Sequence, residues 1–206
     1  MSTPPDIVAL DPTTARIAPF RGIGSEIVRW ICDGWLALGG WKREGDWPLF
    51  DKAVLVAAPH TSNWDGVNML ATAGAYRVKL SFMGKKSLTT GPFGWLMLWL
   101  GCVPVDRSAN HALVKSMAAA FAEKKRMVLA IPPEGTRSLA KEWKSGFYHI
   151  ARGADAPILV TVLDYAKRTI RLAAVLYASG DYDSDLAAIK RCYAGAQGKR
   201  PELFSV

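Results

Sequence analysis

The segment "KAVLVAAPHTSNWDG", residues 52–66, places an apolar run directly before a helix start. Residues 52–60 are typical of a buried strand that ends at a proline. Ser62 is suited to the N-cap of a following helix, where its side-chain oxygen can accept a backbone N–H. Asp65 would then occupy the third helical position and complete an S-x-x-D pair resembling a capping box. The segment therefore predicts a strand followed at once by a helix.

The same alternation continues along the chain. Apolar runs predict further strands at 78–84, 102–106, 126–132, 156–165 and 168–177, and helices are predicted at 62–76, 92–101, 110–125, 146–154 and 184–195. A short turn around Ala166-Lys167 joins the last two strands and favours a hairpin. We therefore expect a single α/β domain with a mostly parallel central sheet flanked by helices and an antiparallel hairpin at its C-terminal edge.

The N-terminal 40 residues differ from the rest. Residues 1–20 are rich in Pro and Thr and lack the basic and apolar regions of a signal peptide. The segment 24–40 carries a stripe of apolar residues at helical spacing: Ile27, Trp30, Ile31, Trp35 and Leu38. We expect residues 1–40 to be a leader followed by an amphipathic helix, which either packs on the core or lies on a membrane surface. The apolar stretch 92–105 is too short for a transmembrane helix, which needs about 20 residues.

The net charge and the distribution of basic residues indicate which classes of binding partner to expect. The 206 residues include 26 Lys and Arg and 18 Asp and Glu, a net charge of +8, which favours nucleic acid, phospholipid or a phosphorylated substrate. The basic residues fall in scattered small clusters without a nucleic-acid-binding motif, so we do not expect nucleic acid as a partner. Cys32, Cys102 and Cys192 are too widely spaced for a disulfide framework or a zinc site, and we expect reduced thiols in a cytosolic protein.

Two interpretations of His60 and Asp65 remain open from the residues alone. In one, His60 is a packed residue at a strand end and Asp65 only stabilises the start of the helix. In the other, the chain folds so that Asp65 reaches the imidazole, fixes its tautomer and leaves the second nitrogen free as a general base. Hydrolases, transferases and metal sites all use such a pair.

Two further segments could carry chemistry. The loop "IPPEGTRS", 131–138, brings Glu134 and Arg137 together, either as an internal ion pair or as a site where arginine binds phosphate. The segment 85–107 has lysines at one end, Arg107 at the other and an apolar stretch between them, which suits a core helix or the wall of an acyl-chain groove. The chain lacks the P-loop, GxSxG, HExxH and GxGxxG motifs, which weakens the case for a serine hydrolase, a zinc protease or a dinucleotide enzyme.

In this order, the segments resemble the motifs of the glycerolipid acyltransferases, the lysophosphatidic-acid acyltransferase family. "HTSNWD", residues 60–65, resembles the HxxxxD motif, and "KKSLTTGPFGWLMLWLGCVPVDR", 85–107, resembles the second motif. "PEGTRS", 133–138, is similar to the third motif, and "APILVTVLD", 156–164, to the fourth. Each piece alone is weak, but their joint order and spacing form a specific pattern.

The resemblance implies that His60 deprotonates the acceptor hydroxyl and that Asp65 orients it. It also implies an acceptor site made of Lys86, Arg107, Glu134, Gly135, Thr136 and Arg137. Of these, Arg137, Lys86 and Arg107 would lie near the acceptor's phosphate. The donor in this family is an acyl thioester on CoA or acyl carrier protein, and no metal or other cofactor is needed. Residues 41–206 would then be the acyltransferase domain.

We therefore expect an acyltransferase that moves a fatty acyl group to the hydroxyl of a lysophospholipid such as 1-acyl-glycerol-3-phosphate. The alternatives are acylation of another polar lysolipid such as lyso-ornithine lipid, a catalytically silent lipid-binding protein, and a metal-dependent hydrolase using His60 and Asp65. The expected location is cytoplasmic, peripherally associated with the inner face of the membrane.

Overall fold

The computed structural model describes residues 22–45, 47, 50–105 and 110–206. The strands are β1 Lys42–Glu44, β2 Lys52–Ala58, β3 Leu80–Lys85, β4 Cys102–Val105, β5 Met127–Ile131, β6 Ile158–Asp164 and β7 Thr169–Leu176. The helices are α1 Ile23–Leu38, α2 Asn63–Ala75, α3 Lys86–Thr90, α4 Gly94–Trp99, α5 Asn110–Glu123, α6 Gly146–Gly153 and α7 Tyr182–Arg191, with a 3₁₀ turn at Pro201–Leu203.

The strands form one sheet in the order β1-β7-β6-β2-β5-β3-β4. Strands β2 to β6 run parallel to one another, whereas β6 and β7 form the antiparallel pair of the predicted hairpin. The single α/β domain with a mostly parallel sheet is therefore confirmed. The short β1 pairs in parallel with β7, through Arg43 and Ile170 among others, and so forms the outer edge beyond the hairpin.

Strand β2 lies in the middle of the sheet and alternates its side chains between two apolar cores. Val54 and Val56 pack into the core under α5, α6 and α7. Ala53 and Leu55 point to the opposite core under α1 and α2. A parallel strand covered by helices on both faces must be apolar at every position, which explains the unbroken apolar run of its sequence.

Helix α1 packs on α2 at close range. A Cβ placed on Gly74 of α2 would lie 2.5 Å from the Cys32 Sγ, so this glycine permits the close approach of the two helices. Leu36 is buried, and Glu26 of α1 forms an ion pair with Arg77 beyond α2. The three cysteines are free thiols, as their spacing predicts.

The predicted apolar stripe of α1 does not pack into the core. Each residue of the stripe is between 43% and 92% exposed, and the five residues are Ile27, Trp30, Ile31, Trp35 and Leu38. In the described part of the chain, no helix combines the length and hydrophobicity that crossing a membrane requires. The predicted leader, residues 1–20, lies outside the described residues.

Candidate active site

The site lies at the carboxyl edge of the sheet, where three neighbouring strands end. Strands β6, β2 and β5 are adjacent and parallel. Tyr165 follows β6, His60 follows β2, and Glu134 follows β5. In open α/β sheets ligands bind beyond the carboxyl ends of the strands. The topology therefore brings residues that are far apart in sequence to one edge.

Helix α2 starts with the predicted capping box. Ser62 has the extended backbone conformation of an N-cap, with φ −152°, and its Oγ accepts the Trp64 N–H at 3.2 Å. The Asp65 Oδ2 accepts the backbone N–H of Ser62 at 2.7 Å and that of Thr61 at 2.6 Å. The loop between strand and helix is thus fixed by a carboxylate that is only 3% exposed.

The same carboxylate faces the imidazole. The distance from His60 Nδ1 to Asp65 Oδ2 is 3.6 Å, and 26% of the histidine side chain remains exposed. A carboxylate beside Nδ1 favours the tautomer that carries its proton there, as inferred from the neighbouring groups. The Nε2 atom is then available to accept a proton. The geometry therefore combines the two interpretations of Asp65, since helix capping and approach to the histidine use one side chain.

Tyr165 is a site residue that the sequence analysis missed. Its hydroxyl donates a hydrogen bond to Asp65 Oδ1 at 2.6 Å and accepts one from Asn68 Nδ2 at 3.3 Å. Burial, together with the hydrogen bond to Asp65, raises the pKa of Tyr165, so the phenol stays protonated and donates to the carboxylate. With the two backbone donors, Asp65 accepts three hydrogen bonds. The available signal was the place of Tyr165 directly after a buried strand.

The side chain of Glu134 contacts the main chain of His60. Its Oε1 accepts the backbone N–H of His60 at 2.8 Å, and the residue is only 4% exposed. Its Oε2 is buried and has no hydrogen-bond partner among the described residues. Burial raises the pKa of Glu134, and the Asp65 charge adds to this effect, while backbone N–H groups act against it. These contacts are those of a side chain that holds the His60 loop.

The rest of the predicted acceptor loop is exposed. Gly135 has φ +66°, a conformation that favours glycine, and Thr136 Oγ1 accepts the Ser138 N–H at 3.2 Å within the loop. Arg137 donates a hydrogen bond to the Asn63 side chain at the start of α2. No ion pair joins Arg137 to Glu134, although both lie in the described part of the chain.

A cavity of about 330 Å³ opens beside the start of α2. It is lined by Thr61, Ser62, Asn63, Trp64, Arg137, Lys199 and Arg200. The two C-terminal cations, Lys199 and Arg200, were not predicted as site residues. A larger hollow of about 740 Å³ lies between α1 and β1, and its lining contains none of the predicted site residues.

The remaining predicted residues lie apart from this cluster. Lys86 is exposed and begins α3 directly after β3, which places it at the same edge of the sheet. Strand β3 is two strands away from β2. Arg107 lies outside the described residues. The structure thus brings Asp65 and Glu134 to either side of His60, through a 3.6 Å approach to its ring and a 2.8 Å hydrogen bond from its backbone, with Arg137 at the adjacent cavity.

The fold and site define an α/β protein with a histidine–carboxylate pair at the carboxyl edge of its sheet, beside a cationic cavity. The family model described as Acyltransferase matches residues 43–163. The chain belongs to this acyltransferase family, which confirms the resemblance found in its motifs. The matched region contains His60, Asp65 and Arg137 and ends before Tyr165 and the C-terminal cations.

The fold also resembles a solved acyltransferase structure. The 1-acyl-sn-glycerophosphate (LPA) acyltransferase PlsC from Thermotoga maritima superposes with a TM-score of 0.56. The match covers 81% of this chain and 75% of that protein, with 13% sequence identity. At this identity the likeness concerns the fold. No curated protein matches the chain.

Proposed function

We propose that the protein transfers a fatty acyl group from an acyl thioester, on CoA or acyl carrier protein, to the hydroxyl of a lysophospholipid such as 1-acyl-glycerol-3-phosphate. The observation that carries this proposal is the 3.6 Å approach of His60 Nδ1 to a buried carboxylate at a partly exposed position. Membership of the acyltransferase family supports acyl transfer as the reaction. The acyl thioester is a co-substrate, and the proposed reaction needs no metal or other cofactor.

The proposed mechanism follows from the chemistry of the acceptor. A lipid hydroxyl is a poor nucleophile, and His60 Nε2 removes its proton as the oxygen attacks the thioester carbonyl. The tetrahedral intermediate then expels the thiolate, which takes the proton from the imidazolium and leaves as a free thiol. General base catalysis of this kind contributes about 10²–10⁴-fold in rate. Asp65 orients the ring and stabilises the imidazolium.

The other residues of the motifs take different roles in this proposal. Arg137 binds the phosphate of the acceptor, because a guanidinium can give two parallel hydrogen bonds to phosphate oxygens. Lys86 adds positive charge at the same edge of the sheet, and Arg107 is also assigned to the acceptor phosphate in this proposal. Gly135 and Thr136 shape the loop that presents Arg137. Glu134 acts by positioning, since its buried oxygen holds the His60 backbone at 2.8 Å.

The acceptor is better matched by a lysophospholipid than by lyso-ornithine lipid. None of the seven described residues that line the cavity is acidic, while three of them are cationic. An ornithine headgroup carries an ammonium as well as a carboxylate, and its ammonium would find no acidic partner among those residues. A phosphate group carries only negative charge and suits this lining.

We also propose that the N-terminal segment, residues 1–40, holds residues 41–206, the acyltransferase domain, on the inner face of the membrane. The exposed stripe of α1 contains two tryptophans, and this residue type suits the membrane interface. The net charge of +8 favours an anionic lipid surface. The cytoplasmic side is where acyl-CoA and acyl carrier protein are available as donors.

The direct test is an acyl-transfer assay on the purified protein. It is incubated with 1-acyl-glycerol-3-phosphate or lyso-ornithine lipid and with each thioester donor, and the products are identified by mass. We expect a diacyl phospholipid. A folded protein that forms no product with any pair would instead fit the catalytically silent lipid-binding alternative.

His60→Ala tests the role of the proposed base. We expect kcat to fall by about 10²–10⁴-fold while the circular dichroism spectrum is unchanged. His149→Ala is the matched control, because His149 is an exposed histidine on α6, and its activity should stay at the wild-type level. Near-normal turnover of His60→Ala would remove His60 from the mechanism.

A further inference from the structure

The segment that follows α7 returns to the His60 loop and is seated tightly against it. The Gln197 carbonyl accepts the Tyr165 N–H at 2.9 Å, and the Arg200 N–H donates to Thr61 Oγ1 at 3.2 Å. Between these two bonds, a Cβ placed on Gly198 would lie 2.7 Å from the Thr61 Cγ2. The segment is therefore held in place by backbone contacts, independently of the side chains at 199 and 200.

This segment adds two cations to the cavity beside α2. Lys199 and Arg200 line it together with Arg137, and the Lys199 Nζ lies 4.9 Å from the centre of the Trp64 ring. In the described part of the chain, none of these three cations takes part in an ion pair. The nearby carboxylate of Asp65 is buried and already accepts three hydrogen bonds.

Three like charges around one small cavity repel each other, and a bound anion would offset this repulsion. A phosphomonoester fits best, because it carries about −1.5 to −2 charges near pH 7 and has three oxygens that accept hydrogen bonds. A phosphodiester offers a single charge and two free oxygens. The first turn of α2 also lines the cavity, and the positive end of a helix dipole favours an anion there.

We infer that Lys199 and Arg200 complete, with Arg137, a binding site for the terminal phosphomonoester of the acyl acceptor. These two residues thereby select 1-acyl-glycerol-3-phosphate over lysolipids whose phosphate is a diester. This inference rests on the proposed function for the identity of the acceptor. The family match ends at residue 163, so it assigns no role to this segment.

The test is the double variant Lys199→Gln/Arg200→Gln, which removes both charges and leaves uncharged polar side chains. We expect the KM for 1-acyl-glycerol-3-phosphate to rise by about 10- to 100-fold, because charged hydrogen bonds to the substrate are lost. The kcat and the KM for acyl-CoA should change little. The preference for 1-acyl-glycerol-3-phosphate over lysophosphatidylethanolamine should fall in the variant.

The matched control is Lys124→Gln/Lys125→Gln. This variant loses the same charge, but its exposed lysines precede β5 and lie at the opposite edge of the sheet. It should keep the wild-type KM for both substrates and the wild-type preference. An equal rise in acceptor KM in the two variants would overturn the inference, and so would a rise confined to acyl-CoA, since the anion would then belong to the donor.

A binding measurement separates this inference from the proposed reaction. Glycerol 3-phosphate is titrated calorimetrically into the wild-type protein and both double variants. The site is supported if the wild type and the control bind glycerol 3-phosphate and Lys199→Gln/Arg200→Gln binds it more weakly. This result would hold even if no acyl transfer is found. Equal binding by all three proteins, or binding by none, overturns it. Active wild-type enzyme with unchanged kinetics in the variant would leave the proposed function intact and remove only the C-terminal site.

Discussion

The buried side chain of Asp65 both stabilises the start of α2 and approaches the proposed base, His60. Its Oδ2 caps α2 and faces His60 Nδ1, and its Oδ1 accepts the hydroxyl of Tyr165. Replacing Asp65 would remove the cap and the proposed catalytic pair together, so the result could not separate stability from chemistry. Tyr165 touches only one oxygen of the carboxylate. It is therefore the better residue for asking what the orientation of Asp65 contributes.

We predict that Tyr165→Phe lowers kcat by about tenfold or more, since losing one charged hydrogen bond costs about 1.5–3 kcal/mol and each 1.4 kcal/mol is tenfold in rate. Both KM values should change little, because Tyr165 acts through Asp65 and not on the substrate. The measurement is steady-state kinetics together with urea unfolding.

Tyr148→Phe provides the control for that prediction. The Tyr148 hydroxyl donates to the buried carboxylate of Asp185 at 2.9 Å, away from the predicted site. We expect a similar loss of unfolding free energy with normal kcat. A kcat that is unchanged in Tyr165→Phe, or that falls equally in both variants, would contradict a positioning role for Tyr165.

Glu134 should make stability depend on pH. Burial raises the pKa of Glu134 in the folded protein above its ordinary value of 4.5. The folded state then binds this proton more tightly than the unfolded state, so the stabilising contribution is complete below pH 4.5 and is lost as the pH rises through the folded pKa. The slope cannot exceed about 1.4 kcal/mol per pH unit for one proton.

We predict that Glu134→Gln, which cannot titrate, lacks this pH dependence. The measurement is urea unfolding of both proteins between about pH 4 and pH 8. The unfolding free energy of the wild type minus that of the variant should decrease as the pH rises above 4.5, the ordinary pKa of the carboxyl. A difference that stays constant, or that grows with pH, would contradict a raised pKa for Glu134.

At the scale of elements, the long apolar strands could be predicted from the sequence, whereas the short polar elements could not. Strands β2 to β7 were predicted because their runs of Val, Ile, Leu and Ala must be buried on a sheet. Strand β1 consists of Lys42, Arg43 and Glu44, all exposed, and carries no apolar signal. It is a strand because β7 offers a free edge for pairing. The five-residue helix α3 was missed for the same lack of a periodic pattern.

The order of the strands explains which site residues were predictable. His60 and Asp65 are five residues apart, so local geometry was enough to suggest that they meet. Tyr165 meets Asp65 from 100 residues away, and only the adjacency of β6 and β2 brings them together. Lys199 and Arg200 belong to one of several scattered basic pairs in the sequence. No local feature marks that pair as the one seated against the His60 loop.

At the scale of the whole molecule, the exposed apolar surface reaches the site. The Trp35 ring of α1 stacks on the Trp64 ring with 6.0 Å between centroids, and Trp64 lines the cationic cavity. A second exposed group lies on and beside α4, and comprises Phe93, Trp95, Leu98 and Trp99. A molecule resting on a membrane through α1 would keep its cavity close to the lipid headgroups. A lysolipid could then reach His60 without leaving the bilayer entirely.

We predict that Trp30→Ser weakens binding to anionic liposomes by about tenfold, because burying a large apolar side chain contributes roughly 1.5–3 kcal/mol. The measurement is sedimentation with liposomes at low and high salt, where high salt should weaken the wild type further by screening its positive charge. Tyr177→Ser is the control, since Tyr177 is 55% exposed against 69% for Trp30 but lies outside α1, directly after β7. Because both positions are on the surface, neither change should unfold the protein. If Trp30→Ser binds as well as the wild type, or if Tyr177→Ser loses as much, then α1 does not hold the enzyme on the membrane.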